Sequence, residues 1–73
     1  MYNVERVNER IRCAILGSKK TGNKVRGFIV EDICKLYYQA THTNMSDKQV
    51  EYVKSLSFAQ GYEVLKCLKS LFV

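Results

Sequence analysis

The sequence predicts an all-α fold, a compact bundle of three to four short helices built by residues 1–73 as one domain. Three observations predict it. Proline is absent, so the commonest helix breaker is missing from the whole chain. Apolar residues recur at spacings of three and four along most of the length. Two Ser-x-x-Gln tetrads, at Ser46 and Ser57, have the spacing of a capping box that opens a helix. A chain of 73 residues buries roughly 60% of its unfolded surface, so its stability is marginal. Tight helix packing, a disulfide, a metal or a second copy would have to supplement the core.

The first helix is expected over residues 3–16. Val4, Val7, Ile11 and Ile15 form one face, Asn3 can cap the start and Gly17 is placed to end it. Residues 18–27 read as a loop, punctuated by Gly22, Asn23 and Gly27, with no periodicity. A second helix starts at Phe28, with Ile29, Ile33, Leu36, Tyr37 and Ala40 as its stripe. Glu31 and Asp32 suit its N-terminal turn, and Thr41–Asn44 form its exit. A third starts at Ser46 and runs through Val53 to Leu56. Gln49 completes the capping box, and Met45 and Val50 hold the two positions of a hydrophobic staple. A fourth starts at Ser57, with Val64, Leu65, Leu68, Leu71 and Phe72 facing inward; the alternative is one bent helix over 46–72, broken near Gly61. An α+β alternative places a β-hairpin at about residues 11–30, since Arg10–Cys13 and Lys24–Arg26 alternate weakly. The longer helical period through Val4–Ile15 favours helix.

Cys13, Cys34 and Cys67 are odd in number and widely spaced, unlike a disulfide framework or the close ligand pairs of a structural zinc site. They read as reduced core thiols, and with no apolar run of membrane-spanning length and no signal-like apolar core in residues 1–6, a cytoplasmic location is expected. No metal, cofactor or membrane partner is expected. Gly17–Lys24 approaches a phosphate-binding loop, but Asn23 and Lys24 stand where Lys and Ser or Thr are required. His42 is the single histidine and reads as a polar loop residue or helix cap, not a catalytic base. Without a nucleophile, base and orienting group in view, the chain is not expected to be an enzyme.

Charge is the most informative feature. The net charge is +5; residues 1–27 carry seven basic and two acidic side chains, and the remainder five of each. Lys19, Lys20, Lys24 and Arg26 fall in the loop with no acid among them. Together with Arg10 and Arg12 they suggest a phosphate-attracting patch for nucleic acid or a nucleic-acid-handling complex. Tyr38 and Tyr52 fall outside the apolar stripes and are candidates for partner contact. The alternative function is a protein-interaction module or inhibitor, homodimeric, in which the basic loop only solubilises. The dimer is suggested by Leu65, Leu68, Leu71, Phe72 and Val73 crowding one segment. A helix-turn-helix is disfavoured, because the helix in the recognition position balances Asp47 and Glu51 against Lys48 and Lys54. In size and lack of catalytic residues the chain is similar to small phage or plasmid accessory proteins, a likeness of scale alone.

Overall fold

A computed structural model describes residues 1–73 as four helices: α1 Val4–Leu16, α2 Gly27–Thr41, α3 Asp47–Lys54 and α4 Phe58–Lys69. A single 3-10 turn, Ser70–Phe72, follows α4. There is no strand; the one β-like contact is an isolated antiparallel bridge between Lys24 and Ser57. The all-α fold therefore holds and the hairpin alternative does not. Residues 11–16 are helical, and Val25, next to the bridge residue Lys24, donates its N–H to Leu56 O at 3.0 Å instead of pairing with α1.

Each helix starts for a local reason. The Asn3 side chain accepts from Glu5 N at 2.8 Å and Arg6 N at 3.3 Å. Both capping boxes form: Gln49 N donates to Ser46 Oγ at 3.2 Å and Gln60 N to Ser57 Oγ at 3.3 Å. In return each glutamine Oε1 accepts from its N-cap backbone N–H. The staple positions close over the core, Met45 buried and Val50 half-buried against it. The bent-helix alternative fails because the chain turns at Ser55–Ser57 and recaps. Ser55 N reaches back to Glu51 O, while Ser57 opens α4. α2 differs. It begins at Gly27, one residue before the expected Phe28, with Arg26 as an N-cap that gives no side-chain bond. Glu31 and Asp32 consequently lie in its second turn, beyond the dipole's main reach. It ends at His42, whose φ of 56° and ψ of 26° place a non-glycine residue in the left-handed region while its N–H reaches Tyr38 O. Such a conformation costs about 1–2 kcal/mol.

The four helices share one core of sixteen buried apolar residues. α4 is central, packing on both α1 and α2, and α3 lies on α2. Val7, Ile11 and Ile15 face it from α1; Ile29, Val30, Ile33, Tyr37 and Ala40 from α2; Val64, Leu65 and Leu68 from α4. Leu71 joins them, but Phe72, expected inside, is 48% exposed, because the 3-10 turn breaks the α-helical phase after Lys69. With Leu65, Leu68 and Leu71 buried within the chain, only Phe72 and Val73 remain of the segment that suggested a dimer. None of the thiols is fully buried: Cys13 is exposed, Cys34 is half-buried and packs against the core, and Cys67 is half-buried.

Two polar features tie the helices together. The buried Tyr37 hydroxyl donates to Asn8 Oδ1 at 2.8 Å, and Gln49 Nε2 donates to the same oxygen at 2.8 Å. Asn8 on α1 thus joins α2 to α3, through the glutamine whose other atom completes the α3 cap. Tyr2 donates its N–H to Ala40 O at 2.7 Å and its hydroxyl to Leu71 O at 2.6 Å, satisfying carbonyls at the ends of α2 and the 3-10 turn.

Gly61 is not a break. It sits inside α4, where a Cβ would clash with the Val25 side chain, lying 2.9 Å from its Cβ. Replacing Gly61 by Ala therefore sets a helix-propensity gain of about 1 kcal/mol against an overpacking cost of about 1–3 kcal/mol. Val25 is short and β-branched and has little freedom to move aside, so the variant is expected to be destabilised. In a Val25→Ala background the same change is expected to lose most of that penalty, and a double-mutant cycle in urea measures the coupling. Ser46→Ala is expected to cost about 1 kcal/mol, lowering the melting temperature by roughly 4–8 °C in a domain of this size. An unchanged melting curve would show that the cap does not contribute.

Candidate nucleic-acid interface

The loop between α1 and α2 carries the charge, and its backbone is pinned. α1 closes with Gly17 N donating to Cys13 O at 2.9 Å and Ser18 Oγ to Ile15 O at 3.1 Å. Thr21 N then bonds Lys19 O, and Gly22 adopts φ +85°, a conformation that side chains resist. This turn brings the chain across the start of α4. Phe58 N donates to Asn23 O at 2.6 Å, and Ala59 N to Thr21 O at 3.4 Å. A helix start leaves its first N–H groups without intrahelical partners. Here loop carbonyls serve Phe58 and Ala59, and the Ser57 hydroxyl serves Gln60. Val25 then buries its side chain against Gly61.

That backbone displays Lys19, Lys20, Lys24 and Arg26 as exposed side chains, and none of the four is in an ion pair. The three ion pairs in the structure lie elsewhere: Glu9–Arg12, Glu51–Lys54 and Glu63–Lys66. The uncapped first turn of α2, starting at exposed Gly27, adds the positive end of a helix dipole beside Arg26. The α4 start, by contrast, is closed by the loop itself. The resemblance to a phosphate-binding loop ends here: a helix and not a strand precedes the turn, and its carbonyls point at α4.

The remaining expected residues separate. Arg10 and Arg12 are two positions apart on α1 and so diverge by roughly 200° around its axis. Arg10 edges a shallow groove between α1 and α4 with Arg6, Cys13 and Cys67. Arg12 pairs with Glu9 at 3.2 Å and edges a different groove with Gln49 and Tyr52. Tyr38 and Tyr52 are 47% and 55% exposed, but they stand on α2 and α3 in separate depressions. The Tyr38 ring lies 6.2 Å from His42, an exposed helix cap.

One pair escaped the sequence reading. Phe58 and Tyr62, four residues apart on α4, stack with ring centroids 6.0 Å apart and planes inclined by 28°. They are 41% and 49% exposed. Phe58 packs its Cβ beside Gly22, so the pair adjoins the basic loop. The signal was present in the i, i+4 spacing, but only the folded loop places these rings beside the cations.

No three His, Cys, Asp or Glu side chains converge as metal ligands, and no buried side-chain polar atom lacks a hydrogen bond. Burial pushes the Cys34 thiol above its ordinary pKa, against an opposing Lys54 and with a smaller contribution from Glu31. Burial likewise raises Cys67, against Arg10 and with Cys13 adding. Compared with known proteins, the chain matches no family model, no curated protein and no solved structure.

Accessible thiolates react fastest. Alkylation at mildly alkaline pH is therefore expected to label exposed Cys13 first and Cys34 and Cys67 more slowly. Raising the pH should accelerate the latter two as their elevated pKa values are approached. Peptide mapping of a labelling time course reads the order; Cys34 or Cys67 labelled first would contradict it.

Proposed function

We propose that the protein is a non-enzymatic binding protein that engages nucleic acid, alone or within a nucleic-acid-handling complex, through phosphate contacts from the loop between α1 and α2. One observation carries this reading: four unpaired cations on a backbone hydrogen-bonded to the α3–α4 corner. Free cations on a held backbone attract a polyanion without first breaking ion pairs, and the loop needs little further ordering on binding. The uncapped start of α2 adds to the same field.

Phosphate contacts make affinity depend on salt, because each neutralised phosphate releases counterions. Four contacts imply a log–log slope of about −3.6 on duplex DNA and about −2.8 on a single strand. The Lys20→Ala, Lys24→Ala double variant is expected to flatten the slope by about 1.8 on duplex or about 1.4 on a single strand, weakening all sequences alike. Titrations of labelled DNA and RNA at several salt concentrations read both effects. No binding at low salt would overturn the proposal and favour a protein partner, with exposed Tyr38 and Tyr52 as the residues to replace next.

A further inference from the structure

We propose that the Phe58–Tyr62 pair is a base-stacking platform and that the ligand of this surface is single-stranded nucleic acid. Its phosphates lie along the basic loop and its bases on the two rings. The inference rests on the reading of the loop as a phosphate contact and adds the strandedness of the ligand and the residues that grip its bases.

The core side of α4 is occupied by Gly61, Val64, Leu65 and Leu68, and the two rings lie off it. Positions 58, 62, 66 and 69 fall within one turn-to-turn stripe of an α-helix. That stripe reads Phe58, Tyr62, Lys66, Lys69, and all four side chains are exposed. It spans roughly 16 Å of helix at 1.5 Å per residue. The loop cations stand at its Phe58 end, because Asn23 O and Gly22 meet Phe58 directly. Lysines therefore flank the rings at both ends. One carboxylate, Glu63, adjoins the stripe, and its charge is directed to Lys66 at 3.7 Å.

A cationic track beside aromatic rings is how a single strand is held without sequence preference: charge follows the backbone and rings stack on unpaired bases. A duplex hides its base faces within the stack, so the rings would have nothing to meet. A membrane surface fits less well. An interfacial helix needs a continuous apolar face, whereas here two half-covered rings are flanked by lysines.

The test uses the full chain and fluorescence anisotropy with a labelled oligothymidylate of about twelve nucleotides, within the span of known single-strand sites. An abasic strand of equal charge, a duplex of equal length and anionic phosphatidylserine vesicles complete the set. Wild-type protein is expected to prefer the oligothymidylate to the abasic strand. Phe58→Leu and Tyr62→Leu should each weaken oligothymidylate binding by roughly 5- to 150-fold, the range of base–aromatic stacking. Neither variant should change the salt slope or the affinity for the abasic strand. Circular dichroism melts matched to wild type establish that the leucine variants fold, and the abasic comparison needs no variant at all. Equal affinity for the abasic and oligothymidylate strands, with a steep salt slope, would overturn the platform and leave the basic loop as a phosphate contact. Stronger binding to duplex than to single strand would do the same. Absence of binding to every nucleic acid would remove both proposals, and ring-dependent binding to vesicles alone would replace them with a lipid surface.

Discussion

The contact between Val25 and Gly61 sets the geometry of everything around it. A helix surface normally holds a neighbour off by the thickness of its side chains. Where α4 has a glycine, the Val25 side chain fills the missing space. That brings the loop backbone close enough to bond Leu56, Phe58 and Ala59. At the same place loop carbonyls close the start of α4, and the four cations of the segment are exposed. In so short a chain few contacts are deep. The glycine lets Val25 pack close to α4, where three backbone hydrogen bonds hold the loop.

A second constraint is polar. Gln49 uses one amide atom to cap α3 and the other to reach Asn8. Asn8 Oδ1 also accepts from buried Tyr37. A buried tyrosine hydroxyl without a partner would be costly. Here its acceptor is shared, so α1, α2 and α3 meet at a single oxygen. The small domain gains a directional restraint that its modest apolar core alone would not supply.

Much of this was legible because local chemistry carries it. Ser46–Gln49 and Ser57–Gln60 marked two helix starts, and the Val4–Ile15 stripe marked the first helix. Helix caps and amphipathic faces are written within a few residues. What stayed hidden depends on contacts distant in sequence. Gly61 reads as a weak helix position until Val25 is seen against it. Phe72 reads as the next member of a stripe until the helix tightens into a 3-10 turn. The α2 start moved because a non-capping Arg26 follows a residue held by another part of the chain. At the interface, composition alone exposed the loop cations. The neighbouring rings stayed out of view because Phe58 meets Gly22 across more than thirty residues of chain. Arg10 and Arg12, adjacent in a composition count, diverge once wound on a helix.

The tethered loop also controls how the chain meets proteases. Lys19, Lys20, Lys24 and Arg26 are four cleavage points for a trypsin-like enzyme within one short segment. Such an enzyme needs an extended substrate backbone in its cleft. Here carbonyls of that backbone are engaged by α4 and the Val25 N–H by Leu56. Cutting therefore requires the loop to peel away first, and when opening is fast its rate follows the open population. The most cleavable stretch by composition becomes a gauge of local opening, and nicking there would also strip α4 of the partners for its first two N–H groups.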